Sequence, residues 1–392
     1  MKRSHDALAW IDRELAVLSE RDLLRRLRTH GGRQGAVLEF GGRELINFGS
    51  NDYLGLAGDP RLAVAAKIGL DEEGCGSGAS PLLVGHSSAL ARLEQRLATF
   101  EGTEAAVVFP SGFAANLGTI GALVGPGDAV FSDELNHASI VDGCRLSRAQ
   151  VHIYPHGDCG ALESQLEAAK SFRRRLVVTD SLFSMDGDAA PLAELARLAD
   201  QYKAMLMVDE AHATGVFGPQ GRGVCEWLGI EDHVAVRVGT LSKALGAAGG
   251  FVCGPRSLIE WLVNRARPYV FSTALPPPIA AAGIAAVDIV GQEPARRTDL
   301  LRRAQWLRAE LTARGWSTGD STSHIVPLVV GEARRALELS ARLADGGVWV
   351  PAIRPPSVPA DGSRLRISLC HGHDETMLGA LLAALDRTAS VR

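Results

Sequence analysis

The 392-residue sequence lacks most of the features that would place it at a glance. Its six cysteines (Cys75, Cys144, Cys159, Cys225, Cys253 and Cys370) are scattered and form no C-x-x-C pair, which in a chain this long favours reduced thiols in a cytosolic compartment over a disulfide framework. There is no excess of either charge, and a net −4 removes the basic footprint of a nucleic-acid or polyanion binder. The longest apolar runs, such as Ile279 to Val287, fall well short of the roughly 20 residues that span a bilayer. The first turns of the chain carry acidic residues throughout and no apolar central segment, so they read as neither a signal nor a transit peptide. No repeat period is present. The glycine-rich stretch Gly74-Cys75-Gly76-Ser77-Gly78-Ala79-Ser80 does not have the G-x-G-x-x-G spacing, follows no clear strand and runs into Pro81, which excludes a dinucleotide-binding fingerprint. What is left is a soluble, cytoplasmic globular protein, 46% apolar and 22% charged, long enough for one large domain and a smaller companion.

What is present is a regular alternation. Residues 6–28 carry a helical pattern (Leu8, Ile11, Leu15, Leu18, Leu23, Leu24, Leu27) that closes on Arg25, Arg26 and Arg28. A Gly41-Gly42-Arg43 turn and a tight polar loop from Gly49 to Leu56 follow, then an amphipathic helix from Leu90 to Phe100. From residue 105 to about 254, β-rich runs (Ala105–Phe109, Ala129–Phe131, Val151–Tyr154, Leu176–Val178, Met205–Val208, Val234–Val238, Phe251–Cys253) are interleaved with helical patterns starting near Gly112, Ala138, Gly160 and Leu192. Near-continuous apolar strands separated by helices predict a mostly parallel central sheet with helices on both faces. After Pro255 come long helical patterns over 256–267, 277–290 and 295–314. Strands Ile325–Val330, Val348–Ile353 and Leu365–Leu369, a helix over 332–345 and a final helix complete a smaller α+β domain. The expected division is an N-terminal helical segment over 1–52, a large domain over 53–285 and a small C-terminal domain over 286–392.

Ligands of an open parallel α/β sheet bind beyond the carboxyl ends of its strands. There the sequence delivers Ser111-Gly112-Phe113, Asn136-His137, Ser184 within Thr179–Asp188, Asp209-Glu210-Ala211-His212 and Thr240-Leu241-Ser242-Lys243. Nearly every strand brings a hydroxyl, an imidazole, a carboxylate or the lysine to one edge, and this convergence is stronger than any local pattern. Lys243 has no other lysine or arginine between Arg237 and Arg256. Burial there would lower its pKa, as a Schiff-base lysine requires, although the same residues also suit a helix-start lysine in solvent. Asp209 ends the apolar run Met205-Leu206-Met207-Val208 and needs an N–H or cationic partner: a protonated pyridine nitrogen, an arginine or a metal would serve. Ser111-Gly112-Phe113 suits a phosphate cradle or an ordinary N-cap. His137 and His212 suit a ring ligand or helix caps. The spacings His152-x-x-x-His156 and Cys370-His371-Gly372-His373 imitate metal sites, but the first spans a strand end and Pro155 and the second has no matching ligand pair, so no metal is expected.

Taken together, the stretches Asn51-Asp52-Tyr53-Leu54-Gly55-Leu56, Ser111-Gly112-Phe113-Ala114-Ala115-Asn116, Asn136-His137-Ala138-Ser139, Phe183-Ser184-Met185-Asp186-Gly187-Asp188, Val208-Asp209-Glu210-Ala211-His212, Thr240-Leu241-Ser242-Lys243, Phe271-Ser272-Thr273 and Arg364-Leu365-Arg366 resemble the fold-type I pyridoxal-phosphate enzymes, and more narrowly the α-oxoamine synthase family. The resemblance runs nearly end to end. It implies a PLP-dependent acyltransferase that condenses a small amino acid with an acyl thioester and releases CO2. The segment Ala352–Pro359 is most similar to the branch that joins L-alanine to a pimeloyl thioester, on CoA or an acyl carrier protein, in biotin biosynthesis. The other branches, glycine C-acetyltransferase the nearest rival, usually carry a tyrosine-proline pair where this chain has Arg354-Pro355-Pro356. Ala213, where the family more often has Gly or Ser, is a small departure.

By position, the resemblance implies that Lys243 holds the cofactor pyridoxal 5'-phosphate and later moves the Cα proton, and that Asp209 pairs with the pyridinium nitrogen. His137 stacks on the ring and also touches substrate. His212 and Ser184 serve the phenolic oxygen, and Gly112, Phe113 and Thr240 serve the phosphate. Ser272 and Thr273 reach the phosphate of a neighbouring subunit in a homodimer with shared active sites. Arg366 takes the amino-acid carboxylate, and Arg25, Asn51 and Ser357 line the substrate channel.

Overall fold

The structure, a computed structural model, describes residues 6–388. The outermost ends of the expected first and last segments, 1–5 and 389–392, lie outside the described residues. A seven-stranded sheet runs in the order Ala105–Phe109, Gly250–Gly254, Val236–Thr240, Met205–Asp209, Arg175–Asp180, Ala129–Asp133, Gln150–Tyr154. Its strands bury both faces. Val107, Phe109, Val130, Val178, Met207, Val238 and Val252 belong to one apolar cluster, and Ala106, Val108, Phe131, Val177, Leu206, Val208 and Phe251 to the other. At about 1.5–3 kcal/mol per large apolar side chain removed from water, this double burial dominates the fold's stability.

All strand pairings are parallel except those of Gly250–Gly254, which is antiparallel to both neighbours. Only a short loop separates Thr240 from Gly250, and a parallel crossover needs about a dozen residues or more, so the chain doubles straight back. Two glycines make this closure possible. A Cβ on Gly239 would lie 2.2 Å from the Phe251 ring, and one on Gly250 would lie 2.5 Å from the backbone of Gly112.

The carboxyl-terminal part is built around an antiparallel sheet of Ile325–Gly331, Ser363–Ser368 and Ala352–Ile353, flanked by helices Ala333–Asp345 and Glu375–Arg387. The run read as one strand over Val348–Ile353 is two. Val348–Trp349 pairs parallel with Arg43–Asn47, and Ala352–Ile353 pairs with Ser363–Ser368. Pro351, which has no N–H to give a ladder, sits at the point where the chain changes sheets.

The N-terminal stretch differs from its expectation. The helix spans Ala9–Glu20 rather than reaching residue 28, and Asp22 just beyond it has φ 58°, which ends the helical path. Residues 30–47 are not helical but form three short strands, His30–Gly31, Val37–Phe40 and Arg43–Asn47, joined to Val348–Trp349. A helix over Pro60–Glu73 also went unread. Its signals were ordinary ones: Asp59 caps Arg61 N–H, and Pro60 occupies the first turn.

Candidate active site

The parallel strands bring residues 109, 133, 180, 209 and 240 to one edge, and the side chains there form two connected networks. The first starts at Lys243. Its Nζ lies 2.7 Å from His212 Nε2, and His212 Nδ1 lies 2.6 Å from the Tyr53 hydroxyl. Tyr53 donates to Asn51 Oδ1 at 3.2 Å and accepts from Arg366 Nη2 at 3.2 Å. Burial lowers the Lys243 amine to about 8, with the nearby carboxylates of Asp209 and Asp180 resisting the shift. Burial, reinforced by the charge of Lys243, holds His212 well below the usual imidazole range. The lysine is therefore the basic group of this pair.

The second network starts at Asp209, which is 5% exposed at the end of its strand. Its carboxylate accepts from Ala211 N–H at 2.8 Å and from Asn116 Nδ2 at 2.6 Å. Asn116 Nδ2 also donates to Ser139 Oγ at 2.9 Å, and Ser139 Oγ lies 2.7 Å from His137 Nδ1. The Ser139 N–H points at the same His137 nitrogen, so His137 caps its own helix through Nδ1 and keeps its proton on Nε2. Burial lowers its pKa. The strand neighbour of Asp209, Asp180, accepts the His137 backbone N–H at 2.7 Å; burial first, then the charge of Asp209, raises its pKa well above the carboxylate range.

Ser111 caps the helix Gly112–Leu123 by accepting Ala114 N–H, leaving the N–H groups of Gly112 and Phe113 ahead of the helical ladder. A Cβ on Gly112 would meet Thr240 at 3.5 Å, so the two flank one small recess. The Thr240 hydroxyl is already committed to the Gly249 carbonyl at 2.8 Å, and it accepts from Ser242 N–H at 3.2 Å. The exposed Ser242 hydroxyl, 2.7 Å from Thr240 Oγ1, is the mobile donor at this spot.

Arg366 is 5% exposed and unusually well occupied. It donates to the Ser184 carbonyl, Asn51 Oδ1 (3.0 Å), Ser368 Oγ (2.6 Å) and the Tyr53 hydroxyl. Of five N–H groups, one on Nη2 is left for a ligand, so a two-pronged grip on a carboxylate requires Asn51 or Tyr53 to yield. Arg25 is exposed and bonds only weakly, at 3.3 Å, to the Pro355 carbonyl. Ser357 is exposed in the adjoining turn. Arg25, Arg26, Arg28 and Arg354 line an open cavity of about 760 Å³ that reaches Ser50, the neighbour of Asn51. Ser272 and Thr273 sit on a loop tied to the 77–79 turn and, among the described residues, are bonded to no member of either network.

The structure thus joins Lys243, His212, Asn51 and Arg366 in one network and Asp209 and His137 in another, with Gly112 beside Thr240 and Phe113 next to it at the helix start. Six members had no role assigned from the sequence: Tyr53, Asn116, Ser139, Asp180, Ser242 and Ser368. Asn116 lies about one helical turn beyond Gly112, on the helix whose start faces the strand ends, and this was the available signal. Of the imitation metal spacings, His152 stacks on Phe131 at 5.1 Å and His373 on Phe48 at 4.1 Å, so both serve the core.

Residues 43–385 match the family of class I and II aminotransferases, and the chain belongs to that family. Among its relatives are proteins named 8-amino-7-oxononanoate synthase. The one from Anaeromyxobacter dehalogenans is 53% identical over 97% of this chain and 95% of its own length. That from Geobacter sulfurreducens is 50% identical over 95% and 96%. Among solved structures, serine palmitoyltransferase from S. paucimobilis with bound PLP superposes with a TM-score of 0.93 at 32% identity, covering all of both chains. 8-Amino-7-oxononanoate synthase from Francisella tularensis gives 0.77 at 28% identity over 88% and 98%.

The donor set fits pyridoxal phosphate. A near-neutral amine, a buried carboxylate with no ion pair within 4 Å among the described residues, two helix-start N–H groups beside the recess flanked by Gly112 and Thr240, and an imidazole face at His137 are the groups its aldehyde, ring nitrogen, phosphate and ring require.

Proposed function

We propose that this protein catalyses the decarboxylative condensation of L-alanine with a pimeloyl thioester, yielding 8-amino-7-oxononanoate, CO2 and free thiol, the step that its relatives' name places in biotin synthesis. The observation that carries the chemistry is the pairing, on one sheet edge, of a Lys243 amine brought down to about 8 with the buried Asp209 carboxylate. The relatives named above support the choice of substrates.

Pyridoxal phosphate, held by Lys243, Asp209 and the Gly112 helix start, supplies an electron sink for a carbanion at the alanine Cα. Lys243 Nζ takes the Cα proton, and His212, 2.7 Å away and held well below the usual imidazole range, steers the amine without competing for the proton. Asp209, fixed by Asn116 and Ala211, presents its carboxyl group to the ring nitrogen's position. Arg366 orients the alanine carboxylate through its open N–H. Once the acyl carbon joins Cα, the thiolate leaves; the bond from Cα to the carboxylate then breaks, CO2 departs, and a proton returns to Cα. The four-arginine cavity next to Ser50 suits the anionic far end of the acyl donor.

A second copy of the chain belongs to this reading. Ser272 and Thr273 would serve a partner's phosphate recess, and the exposed Leu82, Leu83, Val84 and Phe271 around that loop would be covered by the partner. Ser184 would serve the phenolic oxygen with His212. The substrate assignment is tested by steady-state comparison of alanine with pimeloyl thioester against glycine with acetyl-CoA: kcat/KM should favour the first pair, and a preference for the second sinks it. Release of CO2 and thiol separates it from an amino-group transfer.

A further inference from the structure

His156, which the sequence offered only as half of a false metal spacing, sits between two carboxylates. Its Nδ1 lies 3.0 Å from Asp133 Oδ1, and its Nε2 lies 2.8 Å from Asp188 Oδ2. The ring packs edge-on against Phe183 at 4.4 Å. Asp133 is 2% exposed and Asp188 15%, so both carboxylates are turned inward toward the ring. A ring that bridges two acceptors needs a proton on each nitrogen, so it is an imidazolium. Hydrogen bonds to both carboxylates raise its pKa to about 10, in agreement with the geometry.

The two carboxylates belong to different strand-end loops. Asp133 ends the strand Ala129–Asp133, and it also accepts Leu135 and Gly157 N–H groups, fixing the turn that leads to His137. Asp188 closes the loop that carries Ser184. That loop is folded on itself by Gly187 N–H to Phe183 O and Phe183 N–H to Asp188 O, and it is pinched shut by the Leu182–Ala189 bridge. Its far side is where the carboxyl-terminal sheet leans in. Arg366 donates to the Ser184 carbonyl, Arg364 to the Asp186 carboxylate, and Thr322 N–H to the Gly187 carbonyl. The loop is therefore a strut, with Arg366 on one side and the His156 ring on the other.

We propose that His156 is a positioning residue for the amino-acid end of the site: its two-sided bridge from Asp133 to Asp188 holds the Ser184 loop, and through that loop sets Arg366 relative to Lys243. The proposal rests on the assignment of Arg366 to the amino-acid carboxylate. His156 touches no reacting atom, so its loss should appear in alanine binding more than in turnover.

The experiment compares His156→Gln, Asp188→Asn and Arg366→Lys with the unaltered protein. Steady-state kinetics gives KM for alanine and kcat; hydrogen exchange on the cofactor-free protein reports the amides of residues 183–188 against those of the strand Arg175–Asp180. Losing a charged hydrogen bond should raise KM for alanine about tenfold in His156→Gln and in Asp188→Asn, with kcat down by about threefold or less. A variant carrying both His156→Gln and Asp188→Asn should be no worse than either single one, because each severs the same link. Exchange should speed up at residues 183–188 and stay unchanged in the strand. If His156→Gln does not fold, Asp188→Asn carries the test alone, since it leaves the Asp133 half intact. Unchanged alanine KM in both clasp variants while Arg366→Lys raises it overturns the proposal, as does faster exchange spread evenly over the sheet. An Arg366→Lys variant with unchanged KM overturns the assignment of Arg366 instead, and the exchange pattern then decides whether the clasp holds the loop.

Discussion

The two ends of this site are built in opposite ways. Around Lys243 and Asp209 the supporting groups are buried, close and doubly tied: His212, Tyr53, Asn116 and Ser139 each satisfy two partners at 2.6 to 3.3 Å. Around Arg25, Arg354 and Ser357 the surface is open, and the one bond from Arg25 is a long 3.3 Å contact to a backbone carbonyl. The buried end hangs from the carboxyl termini of strands that the hydrophobic effect already fixes. The open end is assembled from residues near 25 and near 355, which meet only after the whole chain has folded. On the proposed function, the reacting groups are pre-organised by the sheet, whereas the acyl-donor end is carried by loops that can vary without disturbing them.

That contrast can be broken most severely at Lys243. Lys243→Ala should lower kcat by about 10²–10⁴-fold, the usual worth of a positioned proton-transfer group, and abolish the visible absorbance of bound cofactor. Asp209→Ala should cost about 10²-fold in kcat while leaving one of the two buried Asn116 amide N–H groups without its acceptor, read as a drop in both rate and thermal midpoint. The lysine's pKa sharpens the comparison. Only the neutral amine attacks a carbonyl, so covalent capture of pyridoxal phosphate by the cofactor-free protein should speed up as pH rises through about 8 and level off above it. A free lysine near 10.5 would still be accelerating there, which stopped-flow absorbance distinguishes. The smallest effect belongs to the open end: Arg25→Ala should raise KM for the thioester by about threefold, with kcat and stability unchanged, as for an exposed single contact.

The same division governs how much the sequence revealed. The sheet was legible because strands buried on both faces read as unbroken apolar runs such as Met205-Leu206-Met207-Val208. The candidate edge was legible because a parallel sheet presents its carboxyl ends: Asp209 ends its strand, and His212 and Lys243 stand just past theirs. Pairings made at long range were not. Nothing local in residues 30–47 announces a partner at Val348–Trp349, and the helical spacing of residues 6–28 gave no warning that the turn at Asp22 would stop it. Asn116 and Tyr53 act by joining groups from three or four strands or loops, and a side chain's second partner has no signature in its own neighbourhood.

Gly250 gives this architecture an order in time. The recess beside Thr240 exists only where the antiparallel strand Gly250–Gly254 presses its bare glycine against the backbone of Ser111 and Gly112, while Lys243 stands on the loop just before that strand. As the chain leaves the ribosome, well over half of it must emerge before the lysine, the recess and the strand that closes it are all present together. Until then the newborn protein carries an unfinished parallel sheet with exposed edges, the kind of long-range topology that folds slowly and aggregates easily. Cofactor arriving afterwards favours only the completed state, so vitamin supply should govern how much of this protein a cell keeps in solution as well as how fast it works.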